Sequence, residues 1–283
     1  MERQYRKILD EEKSFLKPQL ENIWKRCFLD TDEGTKFVFE NIYPSVRCYV
    51  CFEDDVCCAS LYLIEGEIFD KKGVLQKAHY LFGAATLPEY RKGGIMSSLI
   101  EYALTDSFKN GDKASVLLPA NEKLYSYYAG LGYVPLFGTV TKEYDFSLSD
   151  TVIKKYLSNN KNKKIDSIIN LRKSAKLPVQ VMRFSDKTVK NALGYNRVYK
   201  GFCLSGDDFY MVIQGTPENA VITEFISEKS IEELFSTELL GFESRGKLTV
   251  RIPGYSEDKF GMIKVLESTA EFSERIYIGL TKD

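Results

Sequence analysis

The sequence predicts a mixed α/β protein, with a mixed α+β sheet in each of two similarly built halves. Three observations predict it. Over the first half, apolar runs alternate between helical and strand-like spacing in the order helix, helix, strand, strand, strand, helix, strand, helix, strand. A polar, lysine-rich stretch interrupts that pattern at residues 148–177. The chain then restarts with a hairpin of apolar strands, another strand, a helix and a strand, which reads as a degenerate repeat of the first half. At 283 residues there is ample chain for two domains. The expected division is a first domain over 1–147, a solvated helical connector over 148–177 and a second domain over 178–283.

Taking the elements in order, residues 11–28 place Phe15, Leu20, Ile23, Trp24 and Cys27 at helical spacing, with Pro18 expected in the first turn. A second helix is expected over Glu33–Ile42, with Phe37, Val38 and Ile42 facing inward. Strands Val46–Phe52 and Val56–Ile64 flank an acidic hairpin turn at Glu53-Asp54-Asp55, and the charged stretch Glu65–Lys72 reads as a loop or hairpin tip. An apolar strand from Tyr80 breaks at Pro88 and passes through Arg91-Lys92-Gly93-Gly94 into a helix that ends near Phe108. Asn110-Gly111-Asp112 is a turn, Ala114–Leu118 a short buried strand and Asn121–Leu131 a helix, and Tyr133 opens a further strand region. In the second half, strands are expected at Val179–Phe184, Val198–Leu204, Phe209–Gln214 and Ala220–Ile226. A helix at Ser230–Leu239 and strands at Leu248–Ile252 and near Arg275–Leu280 complete it.

Composition bounds the function. A net charge of −1 gives no global attraction to nucleic acid or an anionic membrane, and neither is expected as a partner. The charged N-terminus has no apolar core of a secretory signal, and no run approaches the length of a membrane helix, so the expected location is the cytoplasm. Cys48 and Cys51 stand two residues apart but on a strand, where alternation points them to opposite faces. The six cysteines are therefore expected as reduced, mostly buried thiols, with no metal site.

The chemistry concentrates in Tyr80–Ile100. A strand that feeds a glycine-rich basic turn and then a helix is a means of holding phosphates, because free backbone N–H groups and the positive end of the helix dipole converge on the turn. Gly94 lets the backbone approach closely, and Arg91 and Lys92 add charge. The pattern Arg91-x-x-Gly94-x-Met96, after Leu87-Pro88, resembles the acyl-CoA pyrophosphate loop of the GNAT superfamily of N-acetyltransferases, whose last position is usually Gly or Ala. Asn121 through Tyr128 to Gly132-Tyr133 resembles that superfamily's second signature. A bulky residue at the place of Met96 is shared with the Eis-like branch, which this chain resembles over both halves, stopping short of that branch's sterol-carrier-like third domain.

The resemblance implies a GNAT fold followed by a degenerate GNAT-like domain, with acetyl-CoA as co-substrate and an amine as acceptor. It implies that the strand around Ala84, Ala85 and Thr86 pairs with the pantetheine arm, and that Arg91, Lys92, Gly93, Gly94, Ile95 and Met96 bind the diphosphate. Asn121 is expected near the pantetheine and pyrophosphate, and Tyr128 as proton donor to the leaving thiolate. For the general base the candidate is His79, the only histidine, with a carboxylate of Glu65–Asp70 or water as alternatives. Two other readings stay open: an aminoacyl-tRNA-dependent tandem ligase, and an acyl-CoA-binding scaffold without turnover. A homo-oligomer is possible on any of these readings.

Overall fold

Fourteen residues, a run buried on both faces from Cys57 to Leu63 that turns to alternation at its end, make the longest strand among the described residues, and the sheet that carries the candidate site is laid on it. A computed structural model of the chain describes residues 2–136, 138–145, 161–177, 179–216, 218–237, 246–254, 260–272 and 276–279. The chain divides into two units, Met1–Pro135 with Gly261–Phe272, and Leu136–Phe260 with Ser273–Asp283.

The first unit holds β1 (Arg3–Lys7), β2 (Arg47–Glu53), β3 (Val56–Phe69), β4 (Leu75–Thr86), β5 (Ala114–Leu117) and β6 (Val134–Pro135). The sheet order is β1-β2-β3-β4-β5, followed by a strand from late in the chain, Met262–Val265, and then β6. All neighbours are antiparallel except β4 and β5. Helices α1 (Lys13–Phe28) and α2 (Asp32–Phe37) pack on one face, and α3 (Ile95–Lys109) and α4 (Glu122–Gly130) on the other. The α3 face buries Tyr49, Leu61, Leu63, Leu81, Ile95, Leu99 and Ala103. Each fully buried aliphatic side chain there contributes about 1.5–3 kcal/mol. On the α1 face the rings of Trp24, Phe39, Tyr43, Tyr62 and Phe82 stack edge-on or tilted, 5.3–6.4 Å between centroids.

The β2–β3 hairpin turns as expected, with Asp54 (φ 46°) and Asp55 (φ 66°) both left-handed, a conformation that aspartate tolerates better than most residues. Several expectations are corrected. Residues 65–69 are strand rather than loop: Glu65 and Glu67 point outward while Gly66 and Ile68 are buried, so the charge that suggested a loop is the solvent side of a period-two pattern. The hairpin tip is Asp70–Val74, where the Asp70 carboxylate accepts from the Lys72 and Val74 amides at 2.9 and 2.8 Å. Phe15 is 78% exposed and Leu16 takes its place in the core. Pro18 lies inside α1 and not in its first turn, because the helix starts at Lys13 after a 3₁₀ turn at Asp10–Glu12. The predicted second helix changes pitch: α2 passes into a π-helical turn at Val38–Ile42, which brings Phe39 inward beside Val38 and Ile42.

The second unit contains β7 (Thr139–Tyr144), β8 (Gln180–Val181), β9 (Arg183–Phe184), β10 (Phe202–Ser205), β11 (Phe209–Thr216), β12 (Asn219–Ser227) and β13 (Lys247–Pro253), with helices α5 (Lys161–Ser174), α6 (Asp186–Val198) and α7 (Ile231–Thr237). The strand that completes the first unit's sheet is β14 (Met262–Val265), and β15 (Ile276–Tyr277) pairs with β8 in the second unit. The second sheet runs β10-β11-β12-β13-β7. It repeats the first: an antiparallel meander, then a helix, then a strand parallel to the meander's third. The expected boundary is replaced by a crossed one, since β7 belongs to the second sheet and β14 to the first. The lysine-rich connector is also corrected. Its residues 148–160 lie outside the described ones, and α5 buries Ile168, Ile169 and Arg172 in the second unit's core. Helix α6 stands where the sequence reading placed no helix; Ser185 caps it by accepting from the Thr188 amide at 3.1 Å. Among the described residues no helix is long and apolar enough to cross a membrane.

Because β14 supplies the antiparallel partner of both β5 and β6, a fragment ending at residue 147 lacks an interior strand of its own sheet. Such a fragment is expected to lose cooperative thermal unfolding, with β5 left as an exposed apolar edge. A sharp, reversible melt of the isolated fragment would contradict this.

Candidate active site

The site begins with two strands that part. β4 and β5 pair in parallel only at Ala78↔Ala114, His79↔Ser115 and Tyr80↔Val116. Beyond Tyr80, β4 keeps its antiparallel partner β3, with Phe82 opposite Tyr62 and Ala85 opposite Ser60. Between those pairs Gly83 and Ala84 face the single residue Leu61, a β-bulge that bends the strand. Gly83 has φ +60°, and a Cβ there would lie 2.5 Å from a ring carbon of Trp24, so no other residue fits. The result is a strand edge over residues 81–86 with no strand partner among the described residues, made of small residues at Ala84, Ala85 and Thr86, where only the Thr86 carbonyl is engaged, by Arg91 and Cys27 side chains. An extended amide-bearing chain can add to such an edge as a strand.

The edge runs into the glycine turn. A 3₁₀ turn at Pro88–Tyr90 leads to Arg91, whose Nε donates to the Thr86 carbonyl at 2.9 Å. Lys92 (φ +70°) and Gly94 (φ +75°) are both left-handed, and Gly94 caps α3. The first turn of α3 carries no acidic residue, so nothing opposes the positive end of the helix dipole. Arg91, Lys92, Gly93 and Gly94 are exposed, whereas Ile95 is buried and anchors the helix start. Met96, at the position usually Gly or Ala in the pattern, turns its side chain into the core cluster and not toward the turn.

α4 adds the other two expected residues. Asn121 is its N-cap, Oδ1 accepting from the Leu124 amide at 3.2 Å. Four tyrosines follow, and three hydroxyls are committed. The Tyr127 hydroxyl bonds Ser97 Oγ at 3.0 Å, that of Tyr133 bonds Ser115 Oγ at 2.7 Å, and that of Tyr125 accepts from the Gly261 amide at 3.2 Å. Tyr128 is buried between the rings of Tyr127 and Tyr133, at 5.1 and 5.7 Å, and its hydroxyl has no hydrogen-bond partner among the described residues. Burial raises its pKa, so it remains a protonated donor at neutral pH. Tyr128 shares its core cluster with Leu81, Ile95 and, at the margin, Ala84, Tyr90 and Met96.

His79 is placed elsewhere. It is fully buried, and Nδ1–H donates to Asp112 Oδ2 at 2.6 Å; Arg47 Nη2 donates to the same oxygen at 2.5 Å and Nη1 to Ser107 at 3.2 Å. Burial lowers the His79 pKa and outweighs the pull of Asp112, leaving the ring neutral. Burial pushes Asp112 upward, but the bonds from His79 and Arg47 outweigh it and hold the carboxyl below its ordinary value. The expectation that His79 accepts a substrate proton is therefore corrected: sealed against an ion pair, it ties β4 to the turn before β5. The carboxylate alternatives are also engaged, Glu65 with Arg47 and Lys77 at 3.7 and 3.9 Å, and Asp70 with the hairpin tip. Arg47 and Asp112 were not singled out from the sequence, where nothing links positions 65 residues apart. The buried thiols are inert: burial pushes Cys57 and Cys58 up to about 12, so they stay protonated at neutral pH.

The second unit copies the frame without the turn. β12 pairs with β13 only from Asn219 to Ile222, and the bulge recurs at Thr223. Next to it Glu224 is fully buried, bonded by Arg172 Nε at 3.0 Å and by the Tyr210 hydroxyl at 2.8 Å, while Arg172 also donates to the carbonyls of Met182 and Ile278 at 2.8 Å each. The residue beside this bulge is thus a carboxylate held inside the unit by Arg172 of α5 and by Tyr210 of the neighbouring strand.

The His79 cluster predicts acid sensitivity. Its folded pKa lies below the ordinary 6.5, so below that pH the unfolded chain takes up a proton that the folded one refuses. Asp112, lowered from 3.8, acts in the same direction in stronger acid. Stability is expected to fall between pH 7.5 and 5.5 in denaturant titrations, and His79→Gln is expected to flatten that slope while costing about 1–3 kcal/mol at pH 7.5. An unchanged slope in the variant would assign the acid sensitivity to other groups.

Comparison with known proteins agrees with this geometry. Residues 9–135 match the family described as acetyltransferase (GNAT) domain. No curated protein matches the sequence. Among solved structures, the fold is shared with a probable N-acyltransferase from Enterococcus faecalis V583 at 15% identity and TM-score 0.68, over 94% of this chain and 73% of that one. It is also shared with a GCN5-related N-acetyltransferase from Kribbella flavida at 13% identity and TM-score 0.65, over 93% and 71%. Eis1 from Mycobacterium abscessus matches at 10% identity and TM-score 0.66, over 94% and 74%. Bulge, glycine turn and tyrosine helix all lie within residues 9–135, the part of the chain, a little under half, that matches the acetyltransferase (GNAT) domain.

Proposed function

We propose that the chain is an N-acetyltransferase that moves acetyl from acetyl-CoA to the primary amine of a small molecule or peptide by direct attack in a ternary complex. The observation that carries this reading is the β4 edge at Ala84–Thr86, without a strand partner among the described residues, leading into the Arg91–Gly94 turn, with Tyr128 beside it as the one uncommitted hydroxyl of its helix region. Bound acetyl-CoA supplies an activated thioester. The β4 edge would pair with the amide-bearing arm, the turn amides with Arg91 and Lys92 would hold the diphosphate, and Asn121 would stand between them. The amine nitrogen forms its bond to the thioester carbon, the C–S bond breaks, and Tyr128 gives its proton to the sulfur that leaves. The acceptor's own proton passes to water, since His79 is sealed.

Calorimetry is expected to give one acetyl-CoA bound per chain, because the second unit lacks the turn and fills its bulge region with Arg172 and Glu224. Arg91→Glu should weaken that binding by about ten-fold or more, through lost attraction and added repulsion at the diphosphate. Tyr128→Phe should lower kcat by about a hundred-fold with KM for acetyl-CoA little changed. A thiol-release screen over polyamines, aminoglycosides, amino acids and peptide N-termini identifies the acceptor. No binding of CoA or acetyl-CoA would end the reading. Binding without thiol release from any amine, with Tyr128→Phe silent, would favour an acyl-CoA-binding protein without turnover.

A further inference from the structure

The glycine turn is held from below by the first strand of the sheet. Arg3 of β1 stands directly opposite Glu53 of β2, and its Nε donates to the Glu53 carboxylate. Glu53 is buried, so the guanidinium is fixed at its root. From there Arg3 Nη1 donates to the carbonyl of Gly93 at 2.7 Å. The approach is close enough that a Cβ on Gly93 would lie 2.9 Å from Nη2.

Gly93 is followed by the residue whose amide heads α3. In a trans peptide the carbonyl of one residue and the N–H of the next point in opposite directions. With the Gly93 carbonyl held toward Arg3, the Gly94 N–H is turned the other way. The flanking residues show what this costs. Lys92 on one side is left-handed at φ +70°, a strained conformation for a residue with a side chain, and Gly94 on the other is left-handed at φ +75°. A charge-assisted bond at the carbonyl between them offsets that cost and blocks the peptide flip that would relieve it.

We propose that Arg3 is a positioning residue for the anion-binding turn: its hold on the Gly93 carbonyl fixes the Gly94 amide in the direction of the cofactor's diphosphate. This rests on the reading of the turn as the acetyl-CoA site. Arg3 differs from Arg91 and Lys92 in acting through the backbone and not through its charge. A substrate without phosphates should therefore be indifferent to it.

The test compares wild type, Arg3→Ala and Arg3→Lys with acetyl-CoA and with S-acetylpantetheine, which lacks the diphosphate. Arg3→Ala is expected to raise KM for acetyl-CoA about ten-fold with kcat unchanged and to leave kcat/KM for S-acetylpantetheine as in wild type. Arg3→Lys keeps the charge but lacks the fork that reaches Glu53 and Gly93 together, so it should fall near the alanine variant. In the protein without substrate, hydrogen exchange at the Gly94 amide should quicken in both variants. Wild-type affinity for acetyl-CoA in Arg3→Lys would overturn the proposal in favour of simple charge attraction. An equal loss with both substrates would overturn it in favour of a general loss of stability. Wild type that binds no CoA would instead remove the underlying reading, and an unchanged Gly94 exchange in the variants would defeat the backbone argument independently of any substrate.

Discussion

A bulge of one residue at Gly83–Ala84 decides what the first unit's sheet can do. Up to Tyr80 the strands β4 and β5 share hydrogen bonds as any parallel pair does. The extra residue on β4 then bends it while β3 keeps its far edge satisfied. On the side away from β3, the backbone groups of residues 81–85 have no strand partner among the described residues, and a polar backbone in that state needs one from outside. Trp24 enforces the arrangement, since its ring occupies the space where any side chain at position 83 would go. The bulge therefore needs glycine on one strand and an aromatic ring from a helix on the other side of the sheet.

Around that opening the polar groups divide into those tied to each other and those left available. His79, Asp112, Arg47 and Ser107 form a closed buried cluster at the end where β4 and β5 are still paired. His79 Nδ1 and both Arg47 Nη groups are bonded within it, while His79 Nε2 is buried with no hydrogen-bond partner among the described residues, so the ring is fixed at one nitrogen and shut away from solvent at the other. The tyrosines of the α4 region are handled the same way, three bonded and one not. What remains among the described residues is a strand edge without a strand partner, a basic turn with left-handed residues, and the buried phenols of Tyr128 and Tyr62. The edge, the turn and Tyr128 suit a thioester with a phosphorylated handle.

The second unit illustrates the converse. It keeps the meander, the parallel strand and even the bulge, at Thr223. In place of the glycine turn it has Ser227-Glu228-Lys229, and Arg172 and Glu224 fill the bulge region with a buried ion pair. A buried pair of this kind is costly to break once formed, because either partner alone would be an uncompensated charge. The same strand architecture thus leads into a basic glycine turn in one unit and holds a buried ion pair beside its bulge in the other.

Local sequence determined most of the turn and helix chemistry. The glycine turn at 91–94, the helix opening at Asn121 and the aspartates of the β2–β3 hairpin each act within a few residues of themselves, so spacing and residue type were enough to read them. Which tyrosine is free, which carboxylate is engaged and which half owns β7 and β14 could only be decided in three dimensions. Tyr125 is committed by Gly261, His79 by Asp112, and the order of strands by partners more than a hundred residues away. Hydrogen bonds across such separations leave no periodic mark on the chain. The charged run at 161–174 looked solvated because its apolar positions, Ile165, Ile168, Ile169 and Leu171, are few, and only the sheet packed against them shows that the helix is partly core.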